Sequence, residues 1–594
     1  MGRSTRPRPP AGRRLPAVAA GTAALILALT PSASCAAPQR QPAPHTLPGG
    51  YQHLVVIYEE NHSFDNLYGT WGPVGGRQVE GLARANARQR TQRAQDGTPY
   101  RCLLQNDVNL TSPPLSPTCR DAAHGVAASA FANEPFTVDD HIGPRDRTCP
   151  APGARADGGV VKDSPGAQRG GCTRDLVHRF YQNRYAIDGG RQDRYVTASD
   201  AVGLTMGHYD TTSLPVHRYL HAPGAPRYVL ADHFFQGAFG GSFLNHQYLI
   251  AARAPQDTSG GASGAKNTVL DADGMPASYP LYRATGPVAD GALTTACPDG
   301  DPADYAHACG NLAVNTVQPS SAPYGRGPRI PLIDDAKYPN IGDRLTTAGV
   351  SWNWYSGGWN DAEAGHPGPL FQYHHQPFDY FADYAPGTPG RGHLRDETEF
   401  LRAARTGTLP AVSFVKPYGA ENEHPGYAGE AAGSDHLVDL LKAVTEGPQA
   451  GKTLVVVTYD EFGGQWDHLP PPGPGSPTRG AHDAWGPGTR VPALIISRSL
   501  PRSAVDHTVY DTTSIIATIE RGYGLKPVAA RDAVVNDLTP AVAAGGRGTP
   551  KPRPARGPGA AACRPALLMT RCEGACRGGR RVPDAARQKG VFAR

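Results

Sequence analysis

The chain has 594 residues, which is long enough to bury a large hydrophobic core. Its 58 Lys and Arg residues nearly balance its 53 Asp and Glu residues, and the formal net charge is +5. This balance argues against nucleic-acid binding, which usually requires a concentrated basic face, so no nucleic-acid partner is expected. The many glycines (71) and prolines (58) indicate long ordered loops around a core.

The N-terminus has the layout of an export signal. Arg13 and Arg14 form a basic region, residues 16–30 form an apolar stretch, and small residues follow. The stretch is shorter than the ~20 apolar residues of a membrane-spanning helix. We therefore predict a cleaved signal peptide over residues 1–37, a secreted or cell-envelope location, and no transmembrane helix in the mature chain. The alternatives are a membrane anchor, the twin-arginine export route and lipoprotein anchoring at Cys35.

Six cysteines in the body of the chain are expected to form disulfides, as in many exported proteins. All six lie in loop-like sequence rich in Pro, Gly and Asp, so the disulfides would staple insertions. The simplest pairing joins sequence neighbours: Cys102 with Cys119, Cys149 with Cys172, and Cys297 with Cys309.

The chain divides into a structured body, two insertions and a tail. Residues 38–545 are predicted to form one domain, interrupted by loop-rich insertions at about 76–170 and 255–330. Residues 546–594 are basic, rich in Gly, Pro and Arg, and without periodicity. We predict that this tail is disordered.

Short apolar runs rich in β-branched residues predict buried strands. They are HLVVIY (53–58), SWNWY (351–355), AVSFV (411–415), TLVVVTY (453–459) and VPALIIS (491–497). Apolar residues at helical spacing predict a helix over 434–446 and another over 511–522, with Asp511 as the N-cap of the second. Alternating strands and helices predict an α/β fold: a three-layer α/β/α sandwich with a mostly parallel central sheet.

Acidic and amide side chains follow two of the predicted strands. The first strand runs into Glu59, Glu60 and Asn61, and TLVVVTY runs into Asp460 and Glu461. Because the carboxyl ends of parallel strands meet at one edge of a sheet, these side chains should converge. Clustered carboxylates repel one another unless a cation lies among them, so the pattern predicts a divalent-metal site. The alternative is that each acid is an ordinary helix cap or loop charge.

Ser242 is the candidate nucleophile. Two glycines precede it, and an apolar helix-like run follows it within residues 228–252. A serine at a helix N-terminus faces unpaired N–H groups, which suit a phosphoryl group. Beside a metal its hydroxyl can lose the proton and attack phosphorus. The alternative is a plain N-cap serine. The α/β-hydrolase elbow G-x-S-x-G is excluded because Leu244 stands where the last glycine belongs.

Four histidines lie in polar stretches flanked by aromatic residues: His178, His374, His375 and His424. An imidazolium can hold phosphate oxygens and protonate a leaving alcohol. Taken one at a time, a structural role is favoured over a catalytic one for each histidine. A run resembling a P-loop at 447–453 is one residue short and precedes a strand, so no nucleotide site is predicted there.

Three long motifs resemble the bacterial phosphoesterase family of phospholipases C and acid phosphatases, in the alkaline-phosphatase-like superfamily. They are VVIYEENHSFDNLYG (55–69), ADHFFQGAFGGSFLNHQYL (231–249) and VVVTYDEFGGQWDH (455–468). The match runs in order from about residue 53 to 525, broken by the two insertions. Further segments, at 175–196, 371–381 and 510–525, favour the acid phosphatase branch.

The resemblance implies that five residues hold one divalent metal ion: Glu60, Asn61, Ser242, Asp460 and Glu461. These ligands are oxygen atoms, which favours Mg²⁺, Mn²⁺ or Ca²⁺. The wider superfamily often uses zinc, so the identity of the ion stays open.

The resemblance also implies that His178, His375 and His424 contact the phosphoryl group together with Asn61, while His374 lies adjacent to them. We thus predict an exported metal-dependent phosphomonoesterase, an acid phosphatase, that forms a phosphoserine intermediate. Its substrate would be a small-molecule phosphate ester or a phospholipid. Histidines in place of a second metal predict that activity favours acidic pH.

Three other functions compete with this prediction. A phospholipase C would cleave phosphodiesters such as phosphatidylcholine, although the His374–His375 pair favours the monoesterase. A non-catalytic envelope binding protein would have lost Ser242 or the Asp460–Glu461 pair, and both are present. A structural surface protein would depend on its basic tail.

Overall fold

The computed structural model describes residues 46–547, with gaps at 106, 109, 111–112, 157–158, 160, 163–164, 256–266, 269–270, 287–292, 295–315 and 328. The predicted signal peptide, Cys35, the predicted Cys297–Cys309 disulfide and nearly all of the predicted tail lie outside the described residues. Every helix within the described ranges is too short or too polar to cross a bilayer.

An eight-stranded sheet forms the centre of the molecule. In chain order its strands are β1 (His53–Glu59), β2 (Arg227–Ala231), β3 (Trp352–Ser356), β4 (Leu394–Asp396), β5 (Val412–Lys416), β6 (Thr453–Tyr459), β7 (Ala493–Ser497) and β8 (Ala504–Asp506). Their order across the sheet is β4-β3-β5-β1-β6-β7-β2-β8. Within this sheet β7 runs antiparallel to both its neighbours, and the other pairs are parallel. The predicted mostly parallel sheet is confirmed.

The central strands are buried on both faces, as their apolar sequences predict. Every residue of β6 and β7 is buried, and so is every residue of β1 after His53. In the paired register, Leu54 lies between Val412 on β5 and Leu454 on β6. Burying one such side chain stabilises the fold by roughly 1.5–3 kcal/mol. The apolar residues of these three neighbouring strands therefore contribute much of the stability of the sheet.

Helices flank the sheet in two groups. They are α1 (Phe64–Leu67), α2 (Ala87–Arg90), α3 (Phe180–Ile187), α4 (Tyr195–Ala198), α5 (Pro215–His221), α6 (Ser242–Ala251), α7 (Ile341–Thr347), α8 (Trp359–Glu363), α9 (Glu397–Thr406), α10 (Glu430–Thr445), α11 (Thr513–Tyr523), α12 (Ala530–Val534) and α13 (Thr539–Ala544). Helix α10 contacts α5 and α9, whereas α6 contacts α7 and α11. The result is the predicted three-layer α/β/α arrangement.

The two predicted helices are present with shifted ends. Helix α10 starts four residues earlier than predicted, at Glu430. Helix α11 starts at Thr513 with Thr512 in the N-cap position, so the prediction of Asp511 as N-cap is wrong by one residue. The Asp511 carboxylate still accepts a hydrogen bond from the Thr513 backbone N–H at 2.7 Å, so it satisfies one of the free N–H groups at this helix end.

Short ladders and two disulfides tie the loops to this core. The ladders pair Cys119–Asp121 with Val126–Ser129, Phe136–Thr137 with Gly207–His208, Phe234–Phe235 with Tyr510–Asp511, and Asn267–Thr268 with Leu293–Thr294. The disulfides join Cys102 to Cys119 and Cys149 to Cys172, which confirms two of the three predicted pairs.

A buried charged cluster lies beyond the ends of β1 and β6. The Arg490 guanidinium donates to both oxygens of Asp467, at 3.0 and 3.1 Å, and to Asp65 Oδ1 at 3.0 Å. His468 Nδ1 lies 2.5 Å from Asp65 Oδ2. Burial alone would lower the pKa of His468, but the Asp65 carboxylate raises this pKa to about 9.

The His468 pair predicts a loss of stability at alkaline pH. A group whose folded pKa lies above its unfolded value of about 6.5 stabilises fully below that value and loses the contribution as pH rises through the folded pKa. The free energy of unfolding should therefore fall by roughly 2–3 kcal/mol more between pH 6.5 and 9 in the native protein than in His468→Gln. Urea unfolding at several pH values measures this difference. The exposed His482→Gln is the control, and equal pH dependence in all three proteins would contradict the assignment.

Candidate active site

Glu60 and Asn61 leave the end of β1, and Asp460 and Glu461 leave the end of its neighbour β6. All four side chains are fully buried. The Asp460 carboxylate accepts hydrogen bonds from the backbone N–H of Asn61 at 3.1 Å and of Glu461 at 2.7 Å. The structure thus brings both strand-end pairs together, as the sheet-edge argument predicts.

Ser242 is the first residue of α6, and its hydroxyl donates to Glu60 Oε2 at 3.2 Å. The preceding turn depends on Gly240, which has a φ of 83°. A Cβ at this position would lie 2.3 Å from the Phe180 backbone nitrogen, so no larger residue fits. The predicted nucleophile therefore stands at a helix N-terminus beside the carboxylate cluster.

The Asn61 amide tests whether these residues suit a metal ion. One end of the amide lies 2.7 Å from Glu60 Oε2, 3.2 Å from Asp460 Oδ1 and 3.0 Å from Glu461 Oε1, and the other end lies 2.9 Å from His424 Nε2. Without a cation, the amide satisfies these oxygens by donating from its nitrogen. The opposite orientation makes four oxygens converge, which is favourable around a hard divalent cation. The donor set fits such an ion.

The pKa shifts of Glu60, Asp460 and Glu461 also favour a bound cation. Burial raises the pKa of Asp460 to about 7, and the Glu60 charge adds to this shift. Burial, with a contribution from Asp460, raises the pKa of Glu461 well above its ordinary value. Burial would also raise the pKa of Glu60, but Lys416 and His375 hold it well below the ordinary range. A bound cation would therefore favour the ionised forms of Asp460 and Glu461.

Lys416 is a site residue that the sequence analysis missed. It ends β5, is fully buried, and places Nζ 2.6 Å from Glu60 Oε1. The same ammonium donates to the Glu59 backbone carbonyl at 3.1 Å. The signal was available, because AVSFV runs directly into Lys416 at the same sheet edge.

The three predicted phosphoryl-contacting histidines surround this cluster with Nε2 toward it. His375 Nε2 lies 2.7 Å from Glu60 Oε1, His424 Nε2 lies 3.9 Å from Glu60 Oε2, and His178 Nε2 lies 3.3 Å from Glu461 Oε1. Backbone carbonyls of Leu176 and Pro425 accept from Nδ1 of His178 and His424, at 2.5 and 2.8 Å. These bonds fix the rings so that Nε2 faces the site.

His246, one turn after Ser242 on α6, is a second missed residue. Its Nδ1 donates to the Ser242 backbone carbonyl at 2.7 Å, and its ring stacks on His375 with centroids 5.2 Å apart. His374 contacts both imidazoles, at 4.7 Å from His375 and 5.9 Å from His246, behind the acid cluster. The i, i+4 spacing of Ser242 and His246 was the available signal.

The site opens to solvent on its histidine side. Ser242, His375 and His424 are 4–5% exposed, and the His178 side chain is 19% exposed. The His424 ring stacks on the Tyr427 ring with centroids 3.7 Å apart. The Arg155 guanidinium lies over the Tyr427 ring, 5.4 Å from its centroid. Because Arg155 belongs to the segment predicted as the first insertion, that segment reaches the mouth of the site.

Comparisons with known proteins show the family of the chain. The family model of the Phosphoesterase family matches residues 51–526. Phospholipase C B of Mycobacterium tuberculosis is 24% identical over 524 residues, covering 82% of this chain and 77% of that protein. The non-hemolytic phospholipase C of Burkholderia pseudomallei is 30% identical over 216 residues, covering 31% of this chain and 29% of that protein. The solved structure of a Vibrio parahaemolyticus protein in the alkaline phosphatase superfamily aligns with a TM-score of 0.20 and 16% sequence identity. The alignment covers 34% of this chain and 50% of that chain.

Proposed function

The chain belongs to the phosphoesterase family and hydrolyses phosphoric ester bonds, and we propose that it does so as a metal-dependent phosphodiesterase of the phospholipase C type. The observation that carries the proposal is the placement of the Ser242 hydroxyl, 3.2 Å from Glu60 Oε2 at a helix N-terminus. The diester preference is supported by the name of the relative that matches 82% of this chain.

A phosphomonoesterase, the function predicted from the sequence, is the second candidate. The observation that supports it is the His374–His375 pair: His375 Nε2 lies 2.7 Å from Glu60 Oε1, and the His374 ring lies 4.7 Å from the His375 ring. The preference for acidic pH stays a prediction for either substrate.

The mechanism begins with the substrate phosphoryl group in the open side of the site. The free N–H groups at the start of α6 face its oxygens. Ser242 Oγ gives up its proton to the adjacent carboxylates of Asp460 and Glu60 as it attacks phosphorus in line and the bond to the leaving alcohol breaks, which forms a phosphoserine. The proton returns to Oγ when water later displaces the serine. A divalent cation held by Glu60, Asn61, Ser242, Asp460 and Glu461 would supply Lewis-acid charge that favours the seryl alkoxide and offsets the charge of the phosphate.

The imidazoles handle the remaining charge and protons. We assign Nε2 of His375 and His424 to hold phosphoryl oxygens when these rings are protonated. His178, the most exposed of the three, is assigned to protonate the leaving alcohol from Nε2. In the second half of the reaction the same nitrogen takes a proton from the water that attacks the phosphoserine, since the two steps are chemically the reverse of each other.

A substrate comparison tests the proposed function directly. We expect kcat/KM for p-nitrophenyl phosphorylcholine to exceed that for p-nitrophenyl phosphate by at least about tenfold, a difference of roughly 1.4 kcal/mol in transition-state binding. The reverse ratio would make the chain a phosphomonoesterase. Hydrolysis of neither compound would contradict the catalytic assignment as a whole.

Replacing one metal ligand tests whether activity depends on the bound cation. Asp460→Asn is expected to lower kcat/KM by at least about 10²-fold, since even changes behind the ligands cost 10–100-fold. Chelator treatment should have the same effect on the native protein, and added divalent metal should reverse it only there. Asp439→Asn, an exposed carboxylate on α10, is the matched control. Activity that survives exhaustive chelation would contradict the metal assignment.

We also propose that residues 38–545 form the catalytic domain and that residues 1–37 direct export. The supports are the span of the family match and the signal layout of the N-terminus. Mass spectrometry of the N-terminus of protein recovered from the culture medium tests the cleavage site.

A further inference from the structure

A second group of metal-binding side chains lies where β2 and β8 end. Asp232 directly follows β2, His233 is the next residue, and His507 directly follows β8. His233 Nδ1 lies 2.9 Å and His507 Nδ1 2.8 Å from the same carboxylate oxygen, Asp232 Oδ1. Each of the two chain segments thus directs the Nδ1 of its histidine at this carboxylate, and His507 Nδ1 also lies 3.0 Å from Asp232 Oδ2.

The carboxylate at the centre of this group is held rigidly. Asp232 is fully buried, and its other oxygen accepts the Glu80 backbone N–H at 2.7 Å. Its backbone carbonyl accepts from the Arg490 guanidinium at 2.9 Å. A hydrogen-bonded carboxylate with two imidazoles is typical of transition-metal sites, in which partners behind the ligands fix their orientation. The imidazoles are partly exposed, at 18% and 37%, so an ion can enter from solvent.

This group is separate from the active site. Strands β6 and β7 lie between β1 and β2, which puts three strand spacings, roughly 14 Å, between the ends of β1 and β2. None of the three residues contacts Ser242 or its surrounding acids among the contacts of the described chain. Loss of this group should therefore leave the hydrolytic chemistry in place.

We propose that Asp232, His233 and His507 bind a divalent transition metal, zinc by ligand chemistry, as a structural cross-link between the ends of β2 and β8. Two imidazoles and one carboxylate suit zinc and disfavour Mg²⁺ and Ca²⁺, which take oxygen ligands. Zinc bonds of about 2.0–2.1 Å in tetrahedral geometry place ligand atoms roughly 3.3 Å apart. The present Nδ1–Oδ1 separations are 2.8 and 2.9 Å, and the three ligand atoms all lie within 4.8 Å of one another. Water would occupy the fourth position.

The test compares zinc content and stability in full-length protein. His233→Ala/His507→Ala is compared with the parent, both carrying Asp460→Asn so that the active-site cation does not mask the result. After gel filtration with ZnCl₂, elemental analysis should show about one zinc ion fewer per chain in the double variant. Zinc should also raise the melting temperature of the parent, because a ligand that binds only the folded state stabilises it, and should do so less in the variant.

Two further measurements keep the proposal falsifiable. His366→Ala/His482→Ala removes two exposed histidines elsewhere and should bind as much zinc as the parent. Should the double variant fail to fold, His507→Ala and Asp232→Asn are compared by Co²⁺ absorption, where loss of the visible d–d band is expected. Equal zinc content in parent and double variant, or an unchanged Co²⁺ spectrum, would show that the three side chains form a hydrogen-bonded trio and would overturn the proposal.

Discussion

Replacing Ser242 with alanine is expected to reduce phosphoester hydrolysis by about 10⁴-fold or more, because loss of a nucleophile removes the covalent route entirely. The structure offers no substitute at this position. The nearest oxygens belong to carboxylates that the proposal commits to the cation, and the helix N-terminus would present only a methyl group. The fold should be little affected, because the Ser242 hydroxyl contacts only the neighbouring Glu60 and Asp460 carboxylates within the described residues, and alanine keeps the start of the helix.

A buried serine at the opposite edge of the sheet gives the matched control. Ser497 ends the antiparallel strand β7, so it lies away from the site, and its hydroxyl donates to the Thr453 carbonyl at 2.8 Å. Ser497→Ala should keep nearly full activity. Acid quenching during turnover, followed by peptide mass spectrometry, should find the phosphoryl group on the Ser242 peptide of the native protein. A turnover rate of Ser242→Ala within tenfold of the native rate would contradict the role of Ser242 as nucleophile.

Replacing Lys416 with methionine is expected to remove both activity and much of the stability. The change leaves Glu60 buried without its closest positive partner, and breaking a buried ion pair costs about 3–5 kcal/mol. Lys416 also fixes one oxygen of Glu60, so that the other faces Ser242. We expect kcat/KM to fall by at least about 10²-fold and the affinity for metal to fall with it.

A double variant separates these two effects. Lys416→Met/Glu60→Gln removes both charges, so most of the lost unfolding free energy should return while activity stays absent. Urea unfolding measures the first quantity and substrate turnover the second. Lys442→Met, on the exposed face of α10, is the control and should change neither. Native-like activity in Lys416→Met would show that Lys416 does not position Glu60.

The sequence predicted those parts of the fold that depend on local pattern. The run TLVVVTY corresponds residue for residue to β6, because a strand buried on both faces is apolar throughout. The three-residue strands β4 and β8 escaped prediction, because so short a run carries no periodicity. The Asp511 cap was misplaced by one residue, since two threonines follow it and either can begin the helix.

The candidate site was predictable where acids follow a strand, where a serine begins a helix after two glycines, and where histidines lie in polar stretches. Glu60, Asn61, Asp460 and Glu461 were found because carboxylates at a strand end suggest a cation. Lys416 was overlooked because its role depends on a partner more than 350 positions away in the chain. The strand end could have placed Lys416 at the correct edge of the sheet, but its pairing with Glu60 is not visible in composition or spacing. The catalytic roles assigned to these residues stay predictions until the variants are measured.

Arg155 packs on Tyr427, which packs on His424, so the first insertion reaches the entrance of the site. The scaffold that carries the acids and Ser242 is built from strands and α6, while a guanidinium at the entrance comes from a disulfide-stapled loop. The groups proposed for the chemistry and the cation at the entrance therefore belong to different stretches of polypeptide. If this loop contacts the substrate, grafting it from one homologue onto another should change substrate preference while leaving the rate of the chemical step to the recipient.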